Sequence, residues 1–326
     1  MKREYWILLG IILFGIILIN VPNRFDRPVG QTDQAHFYGV SKANRLGYEI
    51  APSWANFLAP EITTIQSYPL LLTSAFVGSS YIFDDITLLN GLFLTPFLII
   101  ALIFAYLFTK ELTNDPKIAL LATTIFTLNL RLYYFAIAGV WPFLISVCFV
   151  FPSLFFLLRF LKTNKGLLWC ILFTFLTIHS HQMMGAFLIL GEVLLIVAYF
   201  LDETVSMKWN IGKIEFKKLQ IKKLTKSAIF LIAAGIIFIL NAFIFTLTSG
   251  RSQWISDWIS YLLSPSMGFQ RAWNYFLIFD GPIITVLGFL GIIFIISKVE
   301  WKIASMWLWG IIILLLPTLI FGQSHL

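Results

Sequence analysis

The chain of 326 residues is 59% hydrophobic and only 12% charged, with 33 Phe and 11 Trp, and its mean hydropathy is +0.87. Soluble domains carry roughly a quarter charged residues, so an ordinary globule in water is excluded, as are disorder, fibrous repeats and nucleic-acid-binding arms. So much apolar surface needs lipid as its solvent, and the net charge of +7 has first to be weighed against the Lys and Arg excess of cytoplasmic loops.

Nine apolar stretches approach or reach the roughly 17–25 residues that cross a bilayer. They are Tyr5–Val21, Ile86–Thr109, Ile118–Leu130, Pro142–Leu161, Leu167–Ile178, Met184–Leu201, Ser227–Leu247, Leu277–Ser297 and Ile303–Phe321. The first has the basic start and apolar run of a signal peptide. Pro22-Asn23-Arg24 follows it in place of a small-residue cleavage site, so it reads as an uncleaved span. The third and fifth are short, bounded by Arg131 and by His179-Ser180-His181, and are expected to run a turn or more past those polar residues. Cys148 and Cys170 fall inside apolar runs and read as small core residues.

With a cytoplasmic N-terminus, sixteen of the 23 Lys and Arg fall on the inner side and every inner loop holds at least two. Loop charge thus supports the parity of all nine spans. The largest basic cluster, Lys208 to Lys226, can also touch anionic headgroups. The expected fold class is therefore all-α: a polytopic membrane protein of about nine transmembrane helices with a long, structured first outer loop.

That loop, 22–85, holds six of the 16 acidic residues, among them Asp26, Asp33 and Glu61. A connector this long has a structure and a task of its own. Phe37, Val40 and Ala43 recur near helical spacing after Thr32-Asp33, which reads as a helix lying on the outer surface. Tyr68 to Phe83 reads as a partly embedded helix and not a span, because counting it would invert every later loop. A second large outer loop, Thr248 to Phe276, carries Trp254, Trp258, Tyr261, Trp273 and Tyr275 with Arg251 and Arg271. Such aromatics form a headgroup belt or a lid over a ligand with an apolar tail and an anionic head.

Acidic residues at a membrane rim suit chemistry on lipid-linked substrates, since a carboxylate can take a proton from an attacking hydroxyl while cations hold a phosphate leaving group. Asp33, one turn before His36, fits this general base and equally a helix cap. Asp26 lies between Arg24 and Arg27 as an ion pair, and Glu61 after Pro60 as a pocket or solvated carboxylate. Asp84-Asp85 reads as a cap on the second span. Thr177 to Gln182 is a polar knot in which His179, His181 and Gln182 can bond a phosphate or sugar; the histidine spacing is weak for a metal. Arg131, Arg251 and Arg271 either snorkel among headgroups or grip a lipid phosphate in a forked pair of hydrogen bonds. Glu192 lies in mid-span, where an ionisable group is costly; it reads as protonated, as bonded to a neighbour such as Asn241 of the seventh span, or as lining a water path. No nucleotide-binding or hydrolase motif is present.

Gly30-Gln31-Thr32-Asp33-Gln34-Ala35-His36 in a long first outer loop, then Tyr68-Pro69 and the His-bearing outer turn His179-Ser180-His181, resembles the C-type (GT-C) membrane glycosyltransferases. These include protein O-mannosyltransferases, aminoarabinose transferases and oligosaccharyltransferases. The likeness covers 1–247 as a seven-span catalytic module, leaving 248–326 as the outer aromatic loop and two further helices. It implies a polyprenyl-phosphate sugar as donor, its chain lying between spans among membrane lipids, with Asp33 activating a sugar, protein or glycolipid acceptor and Tyr68 beside the substrate. It implies a site on the outer face of a prokaryotic plasma membrane. The loop Arg131 to Trp141 lacks the acidic metal-binding motif of the oligosaccharyltransferases, so a metal-independent monosaccharide transferase with no cofactor is expected. The family's carboxy-terminal outer domain is missing, which is compatible with a piece of a longer protein. The alternative reading is a transporter or flippase for a lipid-linked or small polar substrate, centred on Glu192.

Overall fold

The computed structural model describes residues 3–20, 70–82, 86–129, 133, 141–208, 213–216, 221–249, 305, 306 and 308. Over these the chain is helical, with α1 Arg3–Asn20, α2 Leu70–Ile82, α3 Ile86–Thr113, α4 Pro116–Thr127, α5 Trp141–Thr163, α6 Leu167–Ser180, α7 Gln182–Thr204 and α8 Ile221–Ser249. Five stretches are long and apolar enough to cross a membrane: Arg3–Asn20, Leu92–Thr113, Trp141–Thr163, Met184–Asp202 and Lys223–Phe243. α4 and α6 are shorter apolar helices. The architecture is that of a multi-pass membrane protein. Each of the first seven apolar stretches coincides with a helix, and Tyr68 to Phe83 contains α2. The last two stretches fall almost wholly outside the described residues.

One element departs from the all-helical expectation. β1 Val205–Lys208 and β2 Lys213–Phe216 form an antiparallel hairpin, pairing Val205 with Phe216 and Lys208 with Lys213. Both strands alternate apolar and polar residues with the period of two that a strand needs. The run of lysines across this segment draws attention away from that alternation.

Helix ends follow local chemistry. Asp115 caps α4 by accepting the Lys117 N–H at 2.8 Å, and Pro116 opens the helix, a position where a missing N–H costs nothing. α4 then stops at Thr127 and does not run on past Arg131 as the sequence suggested. The Tyr133 hydroxyl donates to the Thr127 carbonyl at 2.6 Å and satisfies one of the last-turn acceptors that a further turn would otherwise serve. α6 starts after Gly166, whose φ of 103° is a left-handed conformation that glycine adopts without steric cost.

α5 is the hub. Its spanning window is 78% buried, against 17% for α1 and 22% for α8, so the outer helices turn faces such as Leu13, Phe14 and Ile17, or Ile232, Ile236 and Phe243, away from the protein. Cys148 and Cys170 are free and buried, as expected of core residues. In lipid the apolar effect does not drive helices together, so close packing and interhelical hydrogen bonds hold the bundle.

The two ends of the bundle differ. At one end Lys110 pairs with Glu4 at 2.8 Å and Lys162 with Glu111 at 2.9 Å, and Lys223 donates to the Tyr199 hydroxyl at 3.3 Å. At the other, Asn20 donates to Thr95 at 2.9 Å. There Phe76 of α2 meets Phe93 and Trp141 with ring centroids 5.1 and 5.3 Å away, and Phe143 meets His181 at 5.3 Å. The end of α1, the starts of α3 and α5, and the α6–α7 turn therefore gather at one end.

Candidate functional site at the α6–α7 turn

Three of the residues singled out in the sequence, His179, His181 and Gln182, are described, and the fold brings them together where α6 hands over to α7. Asp26, Asp33, His36, Glu61, Tyr68, Arg131, Arg251 and Arg271 lie outside the described residues, as do Asp84 and Asp85.

The turn is tight because of Gly185. A Cβ there would stand 2.7 Å from the Ile178 Cα, well inside van der Waals contact, so only glycine lets the start of α7 lie this close to the end of α6. His181 caps α6, its N–H bonding the Thr177 carbonyl at 3.0 Å.

Asn241 of α8 ties the turn to the bundle. Its Nδ2 donates to the Ile178 carbonyl at 3.4 Å, so its Oδ1 is the acceptor 3.3 Å from His179 Nδ1. Gln182 Nε2 donates to the Asn241 carbonyl at 3.4 Å. Phe175 stacks on the His179 ring at 5.6 Å and 14°. Asn241 is the residue that sequence reasoning misplaced, since it belongs to His179 and Gln182 and not to Glu192.

These bonds settle which nitrogen of each ring carries hydrogen. His179 Nδ1 faces an acceptor and is the N–H. His181 Nδ1 accepts the Met184 N–H at 3.4 Å, so in the neutral ring the hydrogen sits on Nε2. The His181 ring is set among many protein atoms although part of it stays accessible, and this burial lowers its pKa to about 4. It is a neutral imidazole at physiological pH, offering Nε2–H as a donor with no protein partner among the described residues. Such a group can hold a phosphoryl or sugar oxygen without bringing a charge into the membrane rim.

A second polar group lies deeper. Glu192 of α7 is fully buried, and its Oε1 accepts hydrogen bonds from Ser153 Oγ of α5 at 2.8 Å and Thr174 Oγ1 of α6 at 2.6 Å. The sequence marked Glu192 but not these two hydroxyls. Among the described residues no group of three or more His, Cys, Asp or Glu is placed to hold a metal ion. Comparison with protein-family models, with curated proteins and with solved structures finds no match to this chain.

Proposed function

We propose that the protein is a membrane glycosyltransferase. It moves a sugar from a polyprenyl-phosphate carrier to an acceptor at the outer face of a prokaryotic plasma membrane, with its N-terminus in the cytoplasm. Asp33 is the general base that takes the proton of the attacking acceptor hydroxyl, and His36 lies one turn on. Arg131, Arg251 and Arg271, with the His181 N–H and Gln182, surround the phosphate as it leaves, while Asp26, Glu61, Tyr68 and His179 contact the sugar end. No metal or cofactor takes part.

The observation that carries this reading is where the chain leaves α1. Asn20 is bonded to Thr95, Phe93 of the same helix as Thr95 meets Trp141 at the start of α5, and Phe143, two residues further along α5, meets His181. The segment that holds Gly30 to His36 therefore sets out from the same end of the bundle as the polar α6–α7 turn. An enzyme acting on a lipid-linked substrate at the rim needs its polar groups at one end; a transporter needs a site near the midplane that opens to water from each side in turn. Glu192, on which the transporter reading centres, is buried among helices, which favours the enzyme.

The test uses purified protein in lipid with labelled polyprenyl-phosphate hexoses and pentoses. Wild type should release or transfer label and Asp33→Asn should not, while both give the same thermal unfolding. Full turnover in Asp33→Asn would remove the base from the scheme, and absence of turnover in both, with lipid binding intact, would return the transporter reading.

A further inference from the structure

Glu192 goes beyond the rim chemistry, and its two oxygens are unlike. Oε1 accepts from both Ser153 and Thr174, whereas Oε2 is buried with no partner among the described residues. An ionised carboxylate shares its charge over two equivalent acceptors and needs donors at each. A carboxylic acid has one carbonyl oxygen, which accepts, and one hydroxyl, which does not need to. Two donors on one oxygen and none on the other is the pattern of the acid.

Energetics agree. An O–H left without a partner in an apolar interior costs far less than an ionised group left unpaired there. Of the helices packed on α7, α5 presents Ser153, and α6 presents Thr174 and the Cys170 thiol, whose sulfur is 3.7 Å from Ser153 Oγ. No Lys, Arg or His of α5, α6 or α8 bonds to the carboxyl among the described residues.

We infer that Glu192 is a proton-binding site at the centre of the bundle: the carboxyl is a neutral acid with its proton on Oε2, and in that form it clasps α5 and α6 to α7. Loss of the proton to hydroxide or water leaves a charge facing Oε2 with nothing to answer it, and the three-helix contact must loosen or admit water. Pro152, inside α5 and next to Ser153, removes one backbone hydrogen bond at this level and is where such loosening would begin.

The experiment is infrared spectroscopy of the intact protein in lipid at neutral pH, with and without carbon-13 glutamate, on wild type and Glu192→Gln. An acid carbonyl band that shifts with the label in wild type and is missing from the variant is expected; if the glutamate label reveals only carboxylate bands, the inference fails. Thermal unfolding gives a second readout. Glu192→Gln offers both hydroxyls the same carbonyl oxygen, so it should unfold within a few degrees of wild type at neutral pH. Moving to alkaline pH should lower the wild-type midpoint and leave the variant's unchanged by comparison. A gap that does not widen rejects the clasp. If Glu192→Gln does not accumulate, Glu192→Asp serves as the spectral subtraction partner, since aspartate lacks the labelled carboxyl.

Discussion

His181 is the residue whose state is most sharply determined by its surroundings, and it yields a pH prediction. An unfolded imidazole has an ordinary pKa near 6.5, and burial lowers this one to about 4 in the folded chain. As pH falls below 6.5 the unfolded state takes up the proton first, so stability is lost progressively down to about pH 4 and is unaffected above 6.5. His181→Gln should flatten the acid limb of a plot of unfolding midpoint against pH. In nitrogen-15 spectra of labelled histidine, the His181 ring should stay neutral, with hydrogen on Nε2, at pH 6. A His181 signal titrating near 6.5 would contradict this. Among the residues picked from sequence, His179, His181 and Gln182 were legible because a polar cluster between two apolar runs has few places to go but a turn at the membrane edge. Their partner was not legible, because hydrogen bonds across a bundle leave no trace in local pattern. Depth held a clue: at 1.5 Å per residue, Asn241 lies about 30 Å from the start of α8, level with the end of α6, whereas Glu192 sits only three turns into α7.

At the scale of elements, the α6–α7 turn and its link to α8 make the strongest predictions. Gly185→Ala places a methyl 2.7 Å from the Ile178 Cα and 2.6 Å from its Cγ1. It should destabilise by about 1–3 kcal/mol, the usual cost of overpacking. Because one of those contacts is backbone, trimming the side chain with Ile178→Ala should fail to restore the loss, and full recovery in the double variant would refute the close approach. Asn241→Leu removes the hydrogen bonds that Asn241 makes with the Ile178 carbonyl and His179 Nδ1. It should lower the unfolding midpoint and, on the functional proposal, raise the KM for the lipid-linked donor more than it changes kcat. Hydropathy located the helices well, since lipid demands long apolar runs whatever the packing. Their ends were less visible: α4 stops at Thr127 because Tyr133, six residues on, supplies a hydrogen bond to its last turn, and the hairpin at 205–216 was hidden under a basic composition.

Across the whole molecule, the ionic contacts Glu4–Lys110 and Glu111–Lys162 share an end with the hairpin, and the histidine turn stands at the other. On the functional proposal, the first end, where Lys and Arg are in excess, faces the cytoplasm. In sealed cells, a membrane-impermeant maleimide should reach Leu128→Cys from outside, and should reach Lys165→Cys only after lysis. The reverse pattern would turn the molecule over and carry the proposed site to the wrong face. The long first loop and the two last apolar stretches lie almost wholly outside the described residues.

Cys148 and Cys170 stand buried in α5 and α6. Thiols shut away from water by helix packing do not meet oxidants or alkylating reagents while the bundle is intact. The unaltered chain therefore carries its own unfolding alarm: slow alkylation in the native state, and a jump in thiol reactivity when α5 and α6 part.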